Sequence, residues 1–180
     1  MLLKTLFLSP WGWALLVAAL ASPVLAQTQT CDTRQPATAS ASQFKAGGDG
    51  AVLTDTRNGN VWLRCPVGMA WDGNTCSGNS LTYTFREALG VVAELNAAQT
   101  AGRSDWRLPT VEELSSIVER RCFKPAIDLK AFPYSPESGF WTDSPVEGVQ
   151  PRTWVVHFLN GNQYIANKNQ TWRLRLIADQ

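Results

Sequence analysis

Apolar positions along the chain change period twice, from strand to helix and back to strand, and each change marks a new kind of element. Ala51-Val52-Leu53-Thr54-Asp55-Thr56 and Val61-Trp62-Leu63-Arg64 are short β-type runs. The Asn-Gly pair in Arg57-Asn58-Gly59-Asn60 lies between them, which predicts a hairpin. The period then becomes helical. Phe85, Ala88, Leu89, Val92 and Leu95 recur as one apolar face, behind a Thr84-to-Glu87 capping box. A second capping box, Thr110 to Glu113, precedes Val111, Leu114 and Val118. Arg120-Arg121 then suits the negative end of that helix, and Pro125 stops it.

Beyond Pro125 the pattern returns to strands. Phe140-Trp141-Thr142 predicts a short strand ending in the turn residues Asp143-Ser144-Pro145. Thr153 to Phe158 predicts a stronger one, turned at Asn160-Gly161 and returning through Gln163 to Ala166. Trp172 to Ile177 alternates strictly, with Trp172, Leu174 and Leu176 on one face and Arg173 and Arg175 on the other. Two helices and several short strands give an α+β class, with no internal repeat.

The first 26 residues have the layout of a secretory leader. Lys4 is the positive n-region, Trp13 to Leu20 the apolar run, and Val24-Leu25-Ala26 the cleavage site. Gln27, and not a cysteine, follows the cut, which argues against a lipoprotein anchor. No later run is long and apolar enough for a stable membrane span. The expected organisation is therefore a signal peptide at 1–26, a flexible N-terminal arm at 27–50 rich in Thr, Ala, Ser, Gln and Gly, and one domain at 51–180. The location implied is periplasm, cell surface or secreted.

Charge narrows the partners. The chain has 16 Lys and Arg against 15 Asp and Glu, and removing Lys4 balances the two. With no basic stripe, nucleic acid is not expected. The local group Arg120, Arg121 and Lys124 reads as a solvated helix end.

Four cysteines remain after the leader: Cys31, Cys65, Cys76 and Cys122. An even number in an exported chain points to disulfides. Cys65 and Cys76 bracket a compact loop with Gly68 and Gly73 for its turns, which favours Cys65–Cys76 and leaves Cys31–Cys122. Each bridge is worth about 2–4 kcal/mol. No C-x-x-C pair exists, so no metal site is expected.

Candidate ligand-binding residues fall in two places. Trp71 lies in the cysteine-bounded loop, where an indole face could stack on a sugar ring. Asn160, Asn162, Tyr164 and Asn167 lie in or beside the C-terminal hairpin, and amides with Tyr suit adaptable hydrogen bonding. Trp62, Trp106, Trp141, Trp154 and Trp172 read as core. His157, the one histidine, reads as a strand residue and not as a catalytic base, so no catalytic set and no cofactor is expected.

One stretch, Asp105-Trp106-Arg107-Leu108-Pro109-Thr110-Val111-Glu112-Glu113-Leu114, combines an aromatic, a fixed-φ Pro and a helix start. Asp105 and Arg107 are expected to organise that junction, with Trp106 and Pro109 as structural parts. With the opening hairpin, the Cys65–Cys76 loop, Thr82-Tyr83-Thr84-Phe85, Pro125-Ala126-Ile127-Asp128, Phe140-Trp141-Thr142 and Arg173-Leu174-Arg175, this stretch resembles the Lcl C-terminal domain family, named after a bacterial collagen-like adhesin. The resemblance runs from about Gly50 to Ile177. It implies an exported or surface-exposed protein and a C-type-lectin-like (formylglycine-generating-enzyme-like) single domain with two helices and short antiparallel strands. The function it implies is an extracytoplasmic binding or adhesion module for a glycan or an envelope or surface protein. The alternatives are an accessory component of a surface assembly, or an enzyme related to formylglycine-generating proteins. Oligomeric state is left open.

Overall fold

A computed structural model describes residues 27–179; the leader expected at 1–26 lies outside them. Eleven strands and two helices run in the order β1 (Thr30–Cys31), β2 (Phe44–Gly47), β3 (Val52–Asp55), β4 (Val61–Leu63), β5 (Met69–Trp71), β6 (Cys76–Gly78), α1 (Phe85–Ala97), α2 (Val111–Ser116), β7 (Cys122–Phe123), β8 (Gly139–Pro145), β9 (Arg152–His157), β10 (Asn162–Asn167) and β11 (Ile177–Ala178). They form a four-stranded sheet β11-β4-β3-β2, a three-stranded sheet β10-β9-β8, and the ribbons β5-β6 and β1-β7. The paired strands are antiparallel, so the class is α+β. No helix among the described residues is long and apolar enough to cross a membrane.

Strand alternation splits the core in two. Phe140 and Val156 enter one apolar cluster with α2, Trp62, Ile127 and Phe132. Trp141 and Val155, the next residues along, enter a second with α1, Trp106 and Leu174. Most of the β8–β9 pair is therefore buried on both faces. The 65–76 disulfide closes the β5–β6 ribbon, and the 31–122 disulfide joins β1 to β7.

The hairpins form where the Asn-Gly pairs stand. β3 pairs β4 with Leu53 opposite Trp62, and Gly59 takes a φ of 81°. β9 pairs β10 with His157 opposite Asn162, and Gly161 takes 76°. Gly161 meets a second demand, since a Cβ there would lie 2.4 Å from Val118 Cγ1.

Both capping boxes are complete, at Thr84/Glu87 and Thr110/Glu113. The helical faces differ from the expected ones in detail. Leu89 is half-exposed, and Val91 packs toward the core instead. One residue past fully buried Ala88, Leu89 is rotated about 100° from it around the helix. The second helix stops at Ser116, so Arg120 and Arg121 do not sit on its last turn. Ser116 Oγ bonds back to the Glu113 carbonyl, a competitor to helix continuation. Val118 is buried beyond the helix, and buried Glu119 turns toward the N-terminal segment.

β8 runs through Asp143-Ser144-Pro145, which the sequence suggests as a turn, with an irregular register after Trp141. These residues are held from the side. Asp143 N–H donates to the Pro109 carbonyl, and Ser144 Oγ accepts the Val111 N–H at the start of α2.

Residues 27–50, expected to be a flexible arm, are laid onto the domain. β2 adds a fourth strand beside β3. The Glu119 carboxylate accepts from the Thr38 and Ala39 amides, and Asp128 from the Ala41 amide. The Gln29 side chain donates to the Pro125 and Ile127 carbonyls. The composition hid this because backbone hydrogen bonds and buried carboxylates hold the segment, with few apolar side chains contributing.

Arg175 is the largest departure from the alternation. It is fully buried, not on a solvated face. Its guanidinium donates to the Arg64 carbonyl at 2.6 Å and to Ser135 Oγ at 2.9 Å, and lies over the Phe132 ring at 4.8 Å. Burial pulls its pKa down to about 9, which still leaves it charged at neutral pH. Both faces of 174–177 are covered, so alternation marks which cluster a residue joins and not whether it meets water.

The junction stretch is a structural lock. Trp106 is buried, its Nε1–H donates to the Thr100 carbonyl, and the Asn96 amide bonds both its backbone N–H and its C=O. Arg107 forks onto Glu113 at 2.7 and 2.8 Å and also reaches Asp179 at 2.6 Å. Asp105 binds Arg103 and not the helix start. Pro109 is buried, and its carbonyl takes the Asp143 amide.

Two outcomes follow from these contacts. Glu119→Ala leaves the buried Ala39 N–H and the part-buried Thr38 and Arg121 N–H groups without their acceptor, so a loss of about 2–4 kcal/mol is expected in denaturant unfolding, with faster proteolysis inside 32–50. Arg107 first, and the Thr110 amide next among the groups that lower it, hold the Glu113 carboxyl below its ordinary range. That stabilisation is present above the unfolded pKa and is lost as pH falls through the folded one. Glu113→Gln should therefore flatten the acid limb of a stability–pH curve, and an unchanged limb would refute the assignment.

Candidate functional site

β10 is an edge strand, and its side chains from Asn162 to Ile165 are exposed. Tyr164 is 46% exposed and Ile165 48%, high for aromatic and branched residues on a strand. Antiparallel register puts Asn162, Tyr164 and Ala166 on the same face as His157, Val155 and Thr153. A cleft of about 350 Å³ opens there, lined by His157, Leu159, Tyr164, Ile165, Ala166, Gln170 and Trp172. None of these side chains is a carboxylate, ammonium or guanidinium.

Trp172 and Gly139 build the floor. Tyr83 and Trp172 exchange both backbone hydrogen bonds, which fixes the chain. The indole then lies against the sheet because β8 has no side chain at Gly139. A Cβ there would stand 2.6 Å from both Trp172 Cε3 and Val155 Cγ1. His157 stands edge-on to Trp172 at 6.1 Å and to Tyr164 at 5.9 Å, so three aromatic rings share the cleft. His157 Nδ1 accepts the Leu159 N–H, and desolvation lowers the ring's pKa. The imidazole is thus neutral at physiological pH, with its proton on Nε2.

Amides surround the tyrosine. Asn160 Nδ2 contacts Tyr164 Oη at 3.5 Å, and bonds from Asn160 and then Asn162 lower the phenol's pKa below its ordinary value. Asn160 Oδ1 also accepts the Asn162 N–H, which stiffens the turn. Three of the sequence candidates, Asn160, Asn162 and Tyr164, therefore meet on one hairpin.

The other two do not join them. Asn167 Oδ1 accepts the Asn169 N–H, and its own N–H goes to Gln170 Oε1, so it shapes the following turn. Trp71 lies in another part of the fold. Its Nε1–H donates to the Asp49 carbonyl, and the Arg64 guanidinium covers its ring at 3.7 Å, so one stacking face is already occupied. His157 and Trp172 read in sequence as strand and core residues and not as ligand-binding ones. A strand histidine and a period-2 tryptophan look the same in sequence whether they pack in a core or line a cleft.

The family model described as the Lcl C-terminal domain matches residues 51–178. No curated protein matches the chain.

Gly139→Ala tests the floor. Because φ at Gly139 is not left-handed, the effect is steric. Displacement of Trp172 should change the near-ultraviolet circular dichroism and cost about 1–3 kcal/mol of stability. A variant with unaltered tryptophan signals would show that the ring does not rest there.

Proposed function

The chain belongs to the Lcl C-terminal domain family, and from that premise we propose that it is an extracytoplasmic recognition module which holds a glycan or a protein ligand in the β10 cleft. The observation carrying this reading is the uncharged cleft itself: Tyr164 and Trp172 flank a neutral His157, with Asn160 and Asn162 at the rim. Aromatic faces suit the C–H faces of a pyranose or an apolar side chain, and amides suit hydroxyls or peptide groups. An uncharged lining gives no attraction to a polyanion, so selectivity would rest on shape and hydrogen bonding.

Location outside the cytoplasm is part of the same reading. The leader pattern supports it, and so do two disulfides, one joining Cys31 to distant Cys122 and one closing the 65–76 loop. A C-type-lectin-like fold of the formylglycine-generating-enzyme type is the architecture we infer. Two short helices packed on small antiparallel sheets support it. All four cysteines are paired, which disfavours thiol chemistry of the related enzymes. An accessory role in a surface assembly would use the same exposed strand.

The test is capture of immobilised glycans and of purified envelope proteins by the mature protein. Tyr164→Ala should weaken capture about tenfold, and Asn162→Ala less, both with unchanged unfolding midpoints because the side chains are exposed. Equal capture by both variants would move the site off β10.

A further inference from the structure

A second cavity, of about 440 Å³, lies where three segments of the chain meet. Gln27 forms one side, Asp72, Asn74 and Thr75 of the disulfide-bounded loop a second, and Leu129, Pro133 and Tyr134 a third. The 65–76 bridge closes the loop, and Gln29 is bonded to the Pro125 and Ile127 carbonyls, so the walls are held before any ligand arrives.

The hydrogen-bonding inventory of the walls is one-sided. Gln27 Nε2 donates to the Ser135 carbonyl at 2.7 Å, which fixes the orientation of the amide. Its Oε1 is buried and has no partner among the described residues. Asp72 Oδ1 accepts the Asn74 and Thr75 amides at 2.9 and 2.8 Å, so both bonds fall on one oxygen. Oδ2 is left without a protein donor among the described residues. Those two amides hold the carboxyl below its ordinary range, hence ionised. Among the described residues, no Lys, Arg or His side chain lines the cavity. Tyr134, 40% exposed and at a φ of 56°, adds an aromatic wall beside Leu129 and Pro133.

We propose that this cavity receives an alkylammonium group, the head of a lysine side chain or of a free amine. A carboxylate oxygen and a buried, unpaired carbonyl both call for a donor, and an ammonium is all donor. The apolar wall fits the aliphatic stem, and an aromatic face favours a cation near it. An anion would meet the ionised Asp72 carboxylate. A hard metal ion needs six or more oxygens, which a wall of Leu129, Pro133 and Tyr134 does not supply. The site shares no residue with the β10 cleft, so either can fail without the other.

The experiment is an amide-shift titration of the mature, fully disulfide-bonded protein. The probes are Nα-acetyl-lysine amide, its uncharged analogue Nα-acetyl-norleucine amide, butylamine and calcium chloride. Saturable shifts at Asn74, Thr75, Leu129 and Tyr134 are expected with the two amines and not with norleucine. Tighter lysine binding assigns a protein source, and tighter butylamine binding a free amine. Asp72→Asn keeps the turn acceptor and should weaken binding about tenfold. Asn74→Asp adds a carboxylate at the rim and should tighten it about threefold, a gain that misfolding cannot produce. Equal shifts with norleucine, stronger shifts with calcium, or unchanged affinity in both variants would each overturn the proposal.

Discussion

A guanidinium shut away from water and from any carboxylate must find its oxygens elsewhere, and the way Arg175 does so organises the rest of the fold. It takes the Arg64 carbonyl from the end of β4 and Ser135 Oγ from the loop before β8, and it rests on the rings of Phe132 and Phe140. Those partners come from both large sheets and the connection between them. Moving any one away exposes a charged group to a hydrocarbon core, a far larger loss than that of an ordinary contact. The neighbours of Arg175 extend the tie. Leu63 and Val67 amides donate to the Leu176 and Leu174 carbonyls, the Trp141 amide donates to the Arg173 carbonyl, and Arg107 pairs with Ile177.

Around that tie the polar interior is consistent in design. Asp55, Glu119 and Arg175 are all buried, and each bonds backbone groups outside the strands and helices: Asp55 the Arg57 amide, Glu119 the Thr38 and Ala39 amides, and Arg175 the Arg64 carbonyl. Glu119 holds 38–39 and Arg175 holds the end of β4. The loop-rich parts of the chain are therefore fixed by a small number of buried charges, while the two apolar clusters hold the sheets.

Much of this was legible in sequence where the signal is local. The Asn-Gly hairpins, both capping boxes and the Cys65–Cys76 loop depend on residues a few positions apart, and they form where the residues stand. What was not legible depends on distant partners. The alternation puts Arg175 on the face opposite Leu174 and Leu176, and nothing near it in sequence announces Ser135 or Phe132. The segment from Gln27 to Gly50 looked loose because its anchors, Glu119 and Asp128, lie some eighty residues away. The β10 cleft was half legible. Asn160, Asn162 and Tyr164 stand together in the sequence, whereas Trp172 reaches them through the space that Gly139 leaves.

The tie formed by 172–178 comes after every other element in the chain. A ribosome delivers the hairpins, both helices and the β9–β10 pair before it delivers the strand that joins them. Until then the two clusters lack Leu174, Leu176 and Ile177, and Ser135 lacks its guanidinium. Both clusters and the buried Ser135 hydroxyl are therefore completed by side chains from this one short stretch.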